Sequence, residues 1–106
     1  MKFKKFLDFL NNGGKMKGKI RLYYTKSIYP SEEDVIEDLG TFDDEESLNL
    51  CKVEKIKAEK LEYRYCRLTI FEENFILTED FGSWNRFFKI VFESKEDMYK
   101  YLKMEK

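Results

Sequence analysis

The sequence predicts an α+β domain with two or three short helices packed on an antiparallel sheet of about four strands. Apolar and polar residues alternate with the period of a strand, amphipathic segments with capping residues lie between the alternating stretches, and short turns join them. The alternating stretches are residues 17–27, 61–71, 75–78 and 87–93. No linker, internal repeat or low-complexity tract divides the chain, so we expect one domain over 1–106.

Residues 2–10 have the pattern of a short amphipathic helix. Phe3, Phe6, Leu7 and Leu10 fall on one stripe, and the Asn and Gly residues at 11–14 are typical of a helix end. We expect the stripe to pack on the core, with binding to a membrane surface or a partner as the alternative.

Neither a membrane span nor a secretory signal is predicted. No apolar run approaches the roughly 18–20 residues that a membrane helix needs. Asp8 interrupts the apolar stretch near the N-terminus, where a signal peptide needs about 7–15 apolar residues. We therefore expect a cytoplasmic protein that starts near Met1.

The next segment predicts a strand followed by a helix. Ile20, Leu22 and Tyr24 alternate with polar neighbours until Pro30. Residues 31–34, Ser-Glu-Glu-Asp, form a capping arrangement, and an apolar stripe and Gly40 follow. We expect a helix of about two and a half turns over residues 31–40.

Residues 43–61 carry conflicting signals. Their Glu, Lys, Leu and Ala content favours a helix, and Asp43 or Asp44 could cap it. The apolar residues nevertheless spread around a helical wheel instead of forming one face. We therefore favour a strand over residues 50–58, with a helix as the close second choice.

The C-terminal half is more regular. Residues 61–71 and 75–78 alternate on either side of a turn and predict a hairpin. A loop over residues 80–85 leads to a strand whose Phe88, Ile90 and Phe92 share a face. Ser94-Lys95-Glu96-Asp97 then predicts the start of a C-terminal helix with an apolar stripe, formed by Met98, Tyr99, Tyr101 and Leu102.

The composition argues against catalysis and against a cofactor. The chain has no histidine, which excludes Ser-His and Cys-His nucleophiles. Cys51 and Cys66 lack metal-site spacing, so we expect no metal, and we expect both in or near the core, with a redox role as the alternative. No phosphate-binding glycine motif occurs, and adjacent acids are usually solvated surface. We expect neither an enzyme nor a cofactor.

Charge is segregated along the sequence even though the net charge is only −1. Residues 1–30 contain eight basic residues and one acid, whereas residues 31–50 contain nine acids and no base. Such separation would steer a charged partner, although a solvated surface is the alternative. The predicted partner-binding acids are Glu32, Glu33, Asp34, Glu37, Asp38, Asp43, Asp44, Glu45 and Glu46.

Two further sets of candidate residues follow from the sequence. Trp84 and Arg86, in a loop with Gly82, are residue types enriched at binding hot spots, although a lone Trp often seals a core instead. The alternative function, nucleic-acid binding by a basic strand, would use Lys15, Lys17, Lys19, Arg21 and Lys26.

In general style, though in no motif, the chain resembles small accessory proteins of phages and mobile elements. It is short, charged, aromatic and without catalytic residues. That resemblance implies a stoichiometric inhibitor, such as an anti-CRISPR-like anti-defence protein, or a toxin immunity protein. We expect a protein partner with a basic surface, such as a nucleic-acid-binding enzyme or a toxin. Direct nucleic-acid binding is the less favoured expectation.

Overall fold

The computed structural model describes residues 20–29 and 31–104 and confirms the α+β class. Within these residues the sheet has five strands, one more than expected, and two helices pack on it. The strands are β1 (Ile20–Thr25), β2 (Val35–Phe42), β3 (Arg67–Phe71), β4 (Ile76–Asp80) and β5 (Phe87–Phe92), and the helices are α1 (Glu45–Ala58) and α2 (Lys95–Met104). The helix predicted over residues 2–10 lies outside the described residues.

The sheet is antiparallel throughout, with the strand order β2-β1-β5-β4-β3. Helix α1 connects one edge strand, β2, to the other, β3, and α2 follows the central strand β5. Both edge strands therefore adjoin α1 in the chain, and β1, β5 and β4 lie between them.

The main core lies between the helices and one face of the sheet. Leu22, Ile90 and Leu77 lie opposite one another across β1, β5 and β4 and are fully buried. Leu48 of α1 and Met98 of α2 close this core from above. Alternation in β5 was predicted, and its Phe88, Ile90 and Phe92 all belong to this core.

The helix predicted over residues 31–40 is wrong. Only Glu32–Asp34 forms a single 3-10 turn, and β2 begins at Val35. In the pairing of β2 with β1, no residue of β1 lies opposite Ile36 or Leu39. β2 therefore contains two bulges. Those insertions break the strand period and give the apolar residues a spacing like that of a helix.

The strand favoured over residues 50–58 is also wrong, and the second choice, a helix, is correct. Asp44 caps α1 by accepting a hydrogen bond from the Ser47 N–H at 2.7 Å. Leu50 and Val53 remain exposed on this helix. The apolar residues therefore surround the helix because several of them never enter the core.

The predicted hairpin and C-terminal helix are confirmed, and the first strand of the hairpin is shorter than expected. β3 starts only at Arg67, so residues 61–66 precede the sheet as a segment without regular secondary structure. In α2, Ser94 Oγ accepts a hydrogen bond from the Asp97 N–H at 3.1 Å, as the capping pattern predicts. Tyr99 departs from the predicted stripe because it is exposed.

Candidate functional site

The acids of β2 are already engaged by basic residues of the same molecule. Asp38 forms an ion pair with Arg21 of β1, and Glu37 forms one with Lys55 of α1. The hydrogen bond to Glu37 raises the pKa of Lys55, with Glu59 as a second partner at 3.1 Å. This part of the predicted acidic surface is therefore neutralised within the fold.

The remaining acidic residues of the segment 31–50 lie in two different places. Residues 32–34 lie in the turn before β2. Asp43, Asp44, Glu45 and Glu46 surround the start of α1, where β2 ends, and Asp97 of α2 lies beside the first three. We call these five residues the acidic end. Their carboxylates lie at the N-termini of the two helices, where the helix dipole favours negative charge.

Two of the five basic residues proposed for nucleic-acid binding lie within the described chain. Arg21 is half-buried and paired with Asp38, and Lys26 is exposed just after β1. Lys15, Lys17 and Lys19 lie outside the described residues. The described part of the basic strand thus presents one side chain, Lys26, to solvent.

Trp84 is exposed to 89% of its surface at the tip of the loop between β4 and β5. It does not seal the core, which was the alternative the sequence left open. The loop is held in shape beneath it. Asp80 accepts a hydrogen bond from the Gly82 N–H at 3.0 Å, and the Arg86 N–H donates to the Ser83 carbonyl at 3.3 Å.

A second segment, residues 62–65, packs directly against this loop. The Arg64 N–H donates to the Phe81 carbonyl at 2.8 Å, and Ser83 Oγ donates to the Glu62 carbonyl at 2.6 Å. The ring of Tyr63 stacks on that of Phe81 with centroids 6.0 Å apart. The two segments therefore form one ordered surface, not two separate loops.

The surface formed by these two segments consists of Tyr63, Arg64, Tyr65, Trp84 and Arg86, and we call it the aromatic end. Tyr63 and Tyr65 are both about half exposed. Trp84 and Arg86 were predicted as binding residues from the sequence, whereas Tyr63 and Tyr65 were predicted to lie in a strand. The composition of the Tyr-Arg-Tyr stretch at 63–65 is the signal that could have identified them, since Tyr and Arg are enriched at interfaces.

The aromatic and acidic ends lie at opposite ends of the strands. Trp84 and Arg86 connect the end of β4 to the start of β5, whereas the acidic end lies beside Phe92 and Ile20, where β5 ends and β1 begins. The structure therefore separates Trp84 and Arg86 from Asp43–Glu46, although the sequence placed them in one predicted partner-binding set.

A groove of about 520 Å³ lies between α1 and the β3–β4 side of the sheet. Its lining includes Lys52 and Glu79, whose side chains form a buried ion pair, together with Val53, Tyr63 and Cys66. Cys66 is exposed, contrary to the expected core position, while Cys51 is half-buried against the core. Burial raises the pKa of the Cys51 thiol.

Within the described chain, no three His, Cys, Asp or Glu side chains are grouped so that they could hold a metal ion. No helix in residues 20–29 and 31–104 has the length and apolar character required to cross a membrane. No protein-family model matches this chain, and no curated protein or solved structure matches it either.

Proposed function

We propose that this protein is a non-catalytic binding module that acts stoichiometrically on a protein partner, as an inhibitor or neutraliser of the anti-defence or toxin-immunity kind. The exposure of Trp84 at 89% carries the proposal. Exposing an indole to water is unfavourable, so a Trp presented on an ordered loop is suited to insertion into an apolar pocket of a partner.

The surroundings of Trp84 support a contact surface of the usual composition. Tyr and Arg residues flank it on a second segment that is hydrogen-bonded to the loop. Rigid aromatic anchors lose little conformational entropy on binding, and Arg supplies directional hydrogen bonds around them. We propose that the aromatic end forms the close contact with the partner.

The acidic end has a separate role in this proposal. It lies away from the aromatic end and carries charge that attracts a partner with a basic surface. Long-range attraction of this kind raises the association rate more than it stabilises the final complex. The aromatic end therefore forms the close contact, and the acidic end at the other end of the strands steers the partner.

The test is affinity capture from an extract of the native host with three forms of the purified chain. The wild type and Tyr99→Ala are expected to capture one protein in a one-to-one complex, whereas Trp84→Ala is not. Tyr99 is the matched control because it is an exposed aromatic residue on α2, away from the aromatic end. Capture of the same protein at the same level by Trp84→Ala would refute the proposal.

A further inference from the structure

Among the described residues, nothing pairs with the outer side of the edge strand β3. Within residues 20–29 and 31–104, Arg67–Phe71 pairs with β4 alone, in a regular register of five residue pairs. An edge strand presents a row of backbone N–H and C=O groups that can template a further strand. β3 therefore offers a regular surface for strand addition.

The opposite edge of the sheet is protected. β2 carries two bulges, and Gly40 within it has a φ of +100°. Bulges interrupt the row of backbone groups and increase the local twist, which are common devices against edge-to-edge pairing. Only one of the two edges is therefore suited to accept another strand.

The side chains of β3 divide into two rows. Leu68 and Ile70 lie on the side of the sheet that carries the helices, and Ile70 is 42% exposed there. Val53 of α1, which lines the neighbouring groove, is 46% exposed. The helix side of this edge thus leaves apolar surface that another apolar strand would cover.

We propose that β3 pairs antiparallel with β3 of a second copy of this chain, which joins the two sheets into one. A two-fold axis through Thr69 gives the symmetric register that pairs all five residues of the strand. That register places Leu68 opposite Ile70 of the second copy on the helix side. Arg67 then lies opposite Phe71 of the second copy on the other side.

The charges around β3 favour a second copy over an unrelated strand. Arg67 begins the strand, and Glu73 follows its end in the turn Glu72–Asn74. In the antiparallel register the Arg67 end of one strand lies beside the turn Glu72–Asn74 of the second copy, and symmetry repeats this approach of opposite charges. Opposite charges brought together at both ends of the paired strands attract each other, so both approaches favour a second copy.

Sedimentation equilibrium over a rising protein concentration tests this proposal. The wild type is expected to approach twice the 12.9 kDa mass of one chain. Ile70→Lys is expected to weaken the dimer by about tenfold or more, because two lysines would enter the apolar row. Ile36→Lys is the matched control, since Ile36 is 44% exposed on the protected edge, and it should leave the dimer unchanged.

A charge exchange tests the register itself. Arg67→Glu should weaken the dimer, and adding Glu73→Arg to the same chain should restore it, while circular dichroism verifies that each variant folds. A wild type that stays monomeric at every concentration overturns the proposal. That result is expected if the edge of β3 binds a different protein instead of a second copy. Equal weakening by Ile36→Lys and Ile70→Lys, or failure of the charge exchange, also overturns it. None of these results bears on the capture experiment with Trp84→Ala.

Discussion

Lys52 of α1 donates hydrogen bonds to both carboxylate oxygens of Glu79 in β4, at 3.0 and 2.9 Å, and both side chains are buried. The ion pair lies where an apolar contact would be expected between a helix and a sheet. It fixes α1 over β4 at the floor of the groove. A buried pair of this geometry is costly to break from one side because the remaining charge has no compensation.

Removing one partner of this pair should destabilise the fold strongly. We expect Lys52→Met to lower the free energy of unfolding by about 3 kcal/mol or more, since the buried Glu79 side chain loses its ion-pair partner. The double variant Lys52→Met with Glu79→Leu should recover most of that loss. Urea denaturation of the single and double variants measures both, and additive losses would show that the two side chains are not coupled.

Lys89 should make the free energy of unfolding increase as the pH rises above 8. The side chain is buried in β5 and donates to the Tyr29 carbonyl, and burial lowers its pKa from 10.5 to about 8, despite the opposing attraction of Asp34. Between these two pH values the unfolded chain binds more protons than the folded one, so stability increases with pH.

The expected gain between pH 8 and pH 10 is about 2 kcal/mol, which follows from the folded and unfolded pKa values of Lys89. Above pH 10 the trend should reverse, because burial raises the pKa of Tyr23 to about 12 while an unfolded tyrosine ionises near 10. Denaturation midpoints from pH 7 to 11 measure the curve. Lys89→Met should abolish the rise, and an unchanged rise in that variant would contradict the assignment.

Gly82 should be the less replaceable of two glycines with similar backbones. Gly82 and Gly40 have φ values of +94° and +100°, so a side chain at either strains the backbone. At Gly82 an added Cβ would also meet the Arg64 Cβ at 2.9 Å, whereas at Gly40 it would meet nothing within 4 Å.

We therefore expect Gly40→Ala to cost about 1 kcal/mol and Gly82→Ala about 2 kcal/mol or more. The close contact in Gly82→Ala should also displace residues 64–65, and partner binding should weaken with it. Thermal denaturation of the two variants gives the comparison. Equal destabilisation would show that segment 62–65 can move away from the loop without cost.

Neutralising four of the five carboxylates of the acidic end, all except that of Asp97, should slow association with the partner. A variant with Asp43→Asn, Asp44→Asn, Glu45→Gln and Glu46→Gln keeps a capping side chain at residue 44, because Asn caps helices as well as Asp does. We expect an association rate about tenfold lower at low salt and little change in the dissociation rate. Stopped-flow measurements at two ionic strengths test this, and an unchanged salt dependence would exclude steering by these residues.

The central strand β5 and helix α2 were predictable because local and tertiary preferences agree there. Phe88, Ile90 and Phe92 alternate without interruption, and Ser94 caps the helix that follows. The same agreement of local signals located the β3–β4 hairpin. Where strands are regular and capping residues are in place, the sequence pattern alone is sufficient.

The edge strand β2 was not predictable from its pattern. The bulges at Ile36 and Leu39 change the spacing of the apolar residues, and the preceding Ser31 suggests a helix start. Residues 35–42 form a strand because they pair with β1. This contact is long-range, so the sequence of residues 35–42 does not reveal it. Tertiary context therefore overrides a local helix signal here.

Helix α1 and the complete aromatic end could not be predicted from the sequence pattern for a related reason. Lys52 and Lys55 bind acids on the sheet, at places where a helix normally presents apolar residues, so no apolar stripe appears in the sequence. The alternation around Tyr63 and Tyr65 resembled a strand, although this segment lies before β3. The exposure of Trp84 depends on how the loop folds, which spacing does not reveal.

The dissociation rate of the complex with the captured partner tests binding through the aromatic end most directly. Surface plasmon resonance should show that Trp84→Ala dissociates about 100-fold faster than the wild type, in the range of a central hot-spot residue, while Tyr99→Ala dissociates at the wild-type rate. The free Trp84→Ala variant should unfold at the temperature of the wild type, since the side chain makes little contact with the fold. Wild-type dissociation by Trp84→Ala would contradict binding at this end of the molecule.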